Sequence, residues 1–263
     1  MATGLKSVIK SYLPPRVWNY LRQFTYDSWL AGLFFTLFVR QWKLDGLRFE
    51  YPKHLVPLRQ RALFLFGGYE EAERVASQRH INPDDSVLEL GGCLGVVSCA
   101  INRLLSDRSR HLVVEANPYL LATLYRNRHI NRARFRVLNA AAGEGSWLWF
   151  SPRANIHVST AAAETSQPGD VDEFQIPAVS LSELTARFGS FSVLVADIEG
   201  AEFTLFSREP EALASFRMVI LETHPEAYPP ADPSGLEKIL LSRNFQCVDR
   251  LGPVQVWKKR VKV

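Results

Sequence analysis

Residues 87–98 read "VLELGGCLGVVS", and the reading of this stretch decides the fold. Its first four residues are the apolar-rich kind that a sheet buries on both faces, and a helical pattern follows over 98–105. Between them Gly91, Gly92 and Gly95 make a turn thin enough for a ligand to approach the backbone, and the helix start beyond offers unpaired N–H groups. From about residue 84 onward the same alternation repeats, with short apolar runs at 86–90, 111–115, 135–138, 193–197, 218–222, 245–249 and 254–258. Helical patterns fall at 119–131, 181–188, 201–206 and 235–242. This is the signature of βα units feeding a doubly wound, mostly parallel sheet, whose ligands lie at the carboxyl ends of the strands. "SWLWFSP" and "EFQIP" read as a β-like insertion between the third and fourth core strands, and "AAAETSQPGDVDE" at 161–173 as an exposed loop.

The glycine spacing narrows the ligand. A dinucleotide-binding G-x-G-x-x-G would need glycine at 91, 93 and 96, where the chain has Gly91, Cys93 and Val96. What remains is acid-x-Gly-x-x-x-Gly from Glu89 to Gly95, with Gly92 and Cys93 inside it, which resembles the first motif of class I S-adenosylmethionine (SAM) methyltransferases. A second acid, Glu115, closes "HLVVEANP" 24 residues beyond Gly91, just before Ala116. A carboxylate at that strand tip can accept both hydroxyls of a ribose. In "LNAAAGEG", Asn139 and the small residues Ala140 and Ala141 either flank a flat adenine or serve packing.

"YEEAE", "VLELGGCLGVVS", "VVEANP", "NAAAGEG", "VADIEGAEF" and "ILETHP" occur in the order seen in FkbM-type SAM-dependent methyltransferases, which the chain resembles over roughly residues 66–225. That family commonly has Asp, Ala and Asn where this chain has Glu89, Gly92 and Cys93, and Lys where it has Ala196. The resemblance implies a Rossmann-like class I methyltransferase fold with seven strands, SAM as cofactor, and methylation of a hydroxyl on a sugar, glycan, lipid or secondary-metabolite acceptor. It also points to Tyr69 and Glu70 as part of a lid over SAM or substrate.

In the usual strand order of such a fold, 193–197 and 218–222 are neighbours, so Asp197, Glu222 and His224 meet at one rim. An aliphatic hydroxyl attacks well only if its proton leaves, and a histidine of ordinary pKa, about 6.5, is the natural base near neutral pH. His224 is therefore the first candidate, with Asp197 and Glu222 orienting it or the hydroxyl; the alternative is a loop histidine fixed by Pro225. In a variant the same three residues hold Mg²⁺, although their spacing forms no dedicated metal motif and no metal is assigned. Glu199 and Glu202 fit the first turn of the next helix, where carboxylates gain about 0.3–1 kcal/mol from the helix dipole.

The bulk composition limits the rest. At 263 residues and 47% hydrophobic content, a SAM-dependent domain at 63–263 accommodates the motifs, preceded by a helical extension at 1–62. Residues 1–62 hold 10 Lys and Arg against 3 acids, so the net +4 belongs to the extension. "WLAGLFFTLFVRQW" at 29–42 is about half the ~20 apolar residues a bilayer crossing needs. It reads as a helix capping the main domain or its cleft, or as a helix on an anionic membrane surface flanked by Lys6, Lys10, Arg16 and Arg22. Three cysteines without metal or disulfide spacing, and no signal peptide, point to the reducing cytoplasm. A basic pI of about 9.0 suits nucleic acid, yet "DIEG" stands where a base-methylating enzyme carries its Asn/Asp-Pro-Pro-Tyr-like turn, so the expected partner is a small-molecule or glycan acceptor. A third reading is a non-catalytic module that docks through its N-terminus.

Overall fold

The computed structural model describes residues 28–152, 159–162, 174–224 and 234–260. The basic residues at 6, 10, 16 and 22, most of the 161–173 stretch and the "PEAYPPADP" segment after His224 lie outside the described residues. The chain divides into two compact units, Met1–Glu71 and Ala72–Val263, so the first extends beyond the expected boundary at residue 62. Aromatic packing within the first unit includes Phe64 and Tyr69.

In the first unit α1 (Trp29–Phe38) is followed by β1 (Trp42–Leu44), β2 (Leu47–Phe49) and α2 (Arg61–Phe66). The unit is thus not only helical: β1 and β2 form an antiparallel hairpin turned by Asp45 and Gly46, both at positive φ. Asp-Gly between two apolar-alternating triplets is a strong hairpin signal that reading the region as helical passes over. Trp42 and Phe64 stack with centroids 4.3 Å apart, and Phe35, Phe49, Tyr51 and Tyr69 complete the cluster, all buried. No helix among the described residues is long and apolar enough to cross a membrane.

The helix α3 (Glu71–His80) leads into the second unit, which continues through β3 (Val87–Leu90), α4 (Val96–Leu104), β4 (His111–Glu115), α5 (Pro118–Ile130) and β5 (Arg136–Asn139). Four strands, β6 (Ala141–Ala142), β7 (Trp147–Pro152), β8 (Ser159–Ala162) and β9 (Phe174–Val179), form a second sheet in the order β6-β9-β7-β8. Residues 161 and 162 are thus strand, not loop. The chain then runs through α6 (Leu181–Phe188), β10 (Val193–Ala196), α7 (Glu202–Arg208), α8 (Pro210–Leu213), β11 (Met218–Glu222), α9 (Gly235–Ser242), β12 (Phe245–Leu251) and β13 (Val254–Lys259).

The main sheet has seven strands in the order β12-β13-β11-β10-β3-β4-β5, parallel except where β13 runs antiparallel to β11 and β12. Successive side chains leave a strand on opposite faces, so each strand feeds two cores. Leu88, Leu90, Leu194, Ala196, Val219 and Leu221 pack with helix residues such as Leu181, Leu184, Phe206 and Leu240, while Val87, Val193, Val195, Met218 and Ile220 pack with Ala76, Val97 and Ile101. Each Val, Leu, Ile, Phe or Met among them, fully buried, contributes about 1.5–3 kcal/mol. The sequence order of strands reverses between β3 and β10, and such a switch point leaves a crevice at the strands' carboxyl ends. Sequence residues 91 and 197 are the first beyond those two ends.

Candidate active site

The turn after β3 is drawn tight against β10. Gly91 sits at φ +90°, and a Cβ there would lie 1.9 Å from the Asp197 carbonyl oxygen, so only glycine fits. Asp197 N–H donates to the Leu90 carbonyl at 3.0 Å, which fixes the two strand ends together. Cys93 also adopts positive φ, and Gly95 starts α4 in the left-handed region.

The second acid meets this turn. Glu115 is buried; its Oε2 accepts from Cys93 N–H at 2.6 Å and its Oε1 from Asn117 N–H at 2.6 Å. Burial pushes its carboxyl above the ordinary range, and the N–H groups of Asn117, Cys93 and Gly92 oppose that. Asn139 donates through Nδ2 to the Glu115 and Ala116 carbonyls at 2.8 and 3.2 Å, holding the strand tip in place. Ala140 is buried in the main core and Ala141 in the small core of the second sheet, so both side chains pack. Glu89 is engaged elsewhere: its Oε1 accepts from the Ser98 hydroxyl at 2.7 Å and its Oε2 lies 2.8 Å from His111 Nε2, all three fully buried. Tyr69 is buried in the first unit, with its ring 4.8 Å from Phe64.

Across the switch point, Asp197, Glu222 and His224 do meet, and three further acids, Glu199, Glu202 and Glu73, join them. His224 Nε2 lies 3.7 Å from Asp197 Oδ1 and 3.6 Å from Glu199 Oε2, and its Nδ1 lies 3.5 Å from Glu202 Oε1. Glu199 precedes α7 in a turn at φ +53° rather than lying in the helix, and this backbone turn carries it to the imidazole. Glu202 does open the helix; fully buried, it accepts from Ile198 N–H at 2.9 Å and steadies the turn that carries Glu199. Glu73 of α3 hydrogen-bonds Glu222. It was hidden within "YEEAE", where only its burial in the fold distinguishes it from Glu70 and Glu71.

So many carboxyl groups in one place hold on to protons. Burial, then Glu199 and Glu73, raise Asp197 to about 8. Burial and the bond to Glu73 raise Glu222 to about 10. For His224 burial acts downward, but the hydrogen bond and charge of Glu202, with Asp197 and Glu199, outweigh it and lift the group to about 9. The expected imidazole of ordinary pKa is therefore corrected: its acid neighbours, Glu202 first, shift His224 toward the protonated form. Asp197 with Glu199 and His224, or with Glu73 and Glu222, brings donor atoms within 4.8 Å of one another, close enough for one divalent cation.

Residues 89–247 match the Methyltransferase FkbM domain, more than half of the chain. The chain belongs to the FkbM methyltransferase family. Comparison with curated proteins yields no significant match. Among solved structures, the ribosomal protein L11 methylase of Lactobacillus delbrueckii subsp. bulgaricus is similar at 14% identity, covering 74% of this chain and 80% of that one, with a TM-score of 0.45. Precorrin-6y C5,15-methyltransferase of Geobacter metallireducens is similar at 11% identity, covering 80% and 92%, with a TM-score of 0.44. A protein in the NADB-Rossmann superfamily from Streptococcus agalactiae is similar at 9% identity, covering 73% and 69%, with a TM-score of 0.45. As an FkbM methyltransferase the chain takes SAM as its cofactor, and the turn fits that group: a glycine-thin backbone faces a buried carboxylate on a strand tip beside the switch point.

Proposed function

We propose that this chain transfers the methyl group of SAM to a hydroxyl oxygen of a small-molecule, sugar, glycan or lipid-linked acceptor, and that the acid–imidazole rim takes up the hydroxyl proton. The observation that carries this reading is the contact between the glycine turn and Asp197, which sets a proton-binding rim beside the cofactor turn. When bound, SAM supplies an electrophilic methyl carbon on a sulfonium, and the acceptor oxygen bonds to it as the S–CH₃ bond breaks. Gly91, Gly92, Cys93 and Gly95 provide the thin wall for this cofactor. Glu115 already accepts backbone N–H groups on both oxygens, and the lone-pair capacity left on its carboxylate suits ribose hydroxyls. Ala116 and Asn139 frame the same strand tip, and Glu89 positions the turn from beneath through Ser98 and His111.

Asp197 and His224 act as one titrating pair. Positive charge beside the rim favours the ionised carboxyl and strips protons from the cluster, which leaves Asp197 ready to receive the hydroxyl proton while Glu202 holds the imidazole and Glu222 lies on the adjoining strand. Support for a sugar-like acceptor comes from Trp147 and Trp149, exposed on one face of β7 while Leu148 and Phe150 are buried on the other. Paired indoles present a flat, amphipathic surface for a ring.

A divalent cation at Asp197 is a second reading. It is favoured by Asp197 Oδ1, which is sealed from solvent with no hydrogen-bond partner among the described residues. Titration with Mg²⁺ and with EDTA separates the two, since only the cation reading makes turnover collapse with chelator. The main test is turnover of labelled SAM on a panel of glycosyl and lipid-linked alcohols with Asp197→Asn and His224→Ala. Each substitution should lower turnover by about 10²–10⁴-fold while leaving S-adenosylhomocysteine affinity unchanged. Full turnover in both variants would remove the rim from the mechanism.

A further inference from the structure

The helix α1 poses a problem of its own, independent of methyl transfer. One of its faces is fixed: Phe35 is fully buried in the aromatic cluster, and a Cβ on Gly32 would lie 1.7 Å from the Leu58 carbonyl oxygen, so the helix backbone is pressed against the chain. The opposite face is apolar and open. Leu30 is 70% exposed, Phe34 51%, Leu37 66% and Phe38 71%, with Trp29 beside them at 53%. Their spacing of four, three and one places Leu30, Phe34, Leu37 and Phe38 on one stripe, and the Phe34 and Phe38 rings lie 4.9 Å apart. A globular protein seldom leaves such a stripe bare without a partner.

The charges around the stripe say which partner. Arg40 follows the helix and is exposed, and on the outward face of the hairpin Lys43 stands directly opposite Arg48. The chain leading into the helix adds Lys6, Lys10, Arg16 and Arg22 against the single acid Asp27. Exposed Leu and Phe, a Trp at one end and cations at its borders are the composition of a helix that lies in the headgroup region of an anionic bilayer. With 10 residues it is too short to cross one.

We propose that the α1 face of the first unit is a docking surface for an anionic lipid membrane, with Leu30, Phe34, Leu37 and Phe38 entering the interface and Arg40, Lys43 and Arg48 contacting the headgroups. The protein then works at the membrane surface, as a peripheral protein held by the exposed apolar face of one helix and the cations beside it.

The experiment is flotation of the full chain with vesicles of phosphatidylcholine alone and of phosphatidylcholine with about one-third phosphatidylglycerol. Wild type should float with the anionic vesicles, less so as salt rises, and not with the zwitterionic ones. The triple variant Leu30→Gln, Phe34→Gln, Phe38→Gln should lose flotation while its melting temperature stays at or above that of wild type. Arg40→Gln with Lys43→Gln should weaken anionic binding by roughly 30-fold, since each cation near such a surface contributes about fivefold. Wild type that does not float, or a triple variant that floats undiminished, would overturn the proposal. A triple variant that turns a dimer into a monomer in sedimentation would assign the face to a second copy of the chain instead. One that melts well below wild type would assign it to cover by residues 1–27. S-adenosylhomocysteine affinity, measured in parallel, reports on the cofactor site alone.

Discussion

Replacing Gly91 with alanine should destabilise the second unit by about 3–5 kcal/mol, and most of that should come from a single contact. Gly91 stands at φ +90°, where an L-residue is disfavoured by about 1–2 kcal/mol. The new Cβ would lie 1.9 Å from the Asp197 carbonyl oxygen, whereas ordinary contact begins at 3.4 Å. That oxygen is backbone and cannot rotate away, so the ends of β3 and β10 must part. The bond from Asp197 N–H to the Leu90 carbonyl is then lost, leaving buried groups unpaired at about 1–3 kcal/mol. In a unit of this size that amounts to roughly 10 °C in melting temperature. Gly252→Ala is the control, because Gly252 also has positive φ, at +65°, but an added Cβ there would meet nothing within 4 Å. Thermal melts followed by circular dichroism should place Gly91→Ala well below Gly252→Ala. Equal melting temperatures would refute the close approach of the glycine turn to Asp197, and with it the joined site.

The rim also makes stability depend on pH. Asp197, Glu222 and His224 all bind protons more tightly when folded, so the stability they lend is complete only in acid and declines as pH rises. Between pH about 6.5 and 8 all three act together, and the melting temperature of the cofactor-free chain should fall across that interval; a flat profile would contradict the raised values. Thiol chemistry offers another check: Cys99 is buried and pushed up to about 12, so Cys93 and Cys247 should react with a thiol reagent while Cys99 stays protected until unfolding. S-adenosylhomocysteine should slow only the reaction of Cys93. Glu89→Ala should destabilise by about 2–4 kcal/mol in denaturant melts, because it leaves the buried Ser98 hydroxyl and His111 ring nitrogen each without a hydrogen-bond partner, at about 1–3 kcal/mol apiece.

The sheet was legible because its strands are buried on both faces and bounded by helices with their own periodicity. Strands at 111–115 and 218–222 and helices at 181–188 and 235–242 coincide with the expected spans, and the others differ by one to two residues at one or both ends. The hairpin of the first unit escaped because its strands are three residues long, too short for alternation to outweigh the helical reading. The rim was legible in part: Asp197, Glu222 and His224 follow from strand order. Glu73 reaches the rim from a helix more than a hundred residues away in sequence, and Glu199 reaches it through a positive-φ turn, neither of which any local pattern encodes. For the same reason the ordinary pKa expected of His224 failed, since it takes the whole acid cluster to raise it. Glu89 matched the motif by position, but its partners Ser98 and His111 lie on the following helix and the next strand, beyond the spacing rule.

The account rests on SAM lying against the glycine turn and Glu115, and calorimetric titration with S-adenosylhomocysteine tests that most directly. Wild type should bind with micromolar affinity, and Glu115→Gln, which removes the charge but keeps an acceptor for the turn, should bind about 100-fold more weakly. Failure of wild type to bind, or equal binding by the variant, would contradict the account.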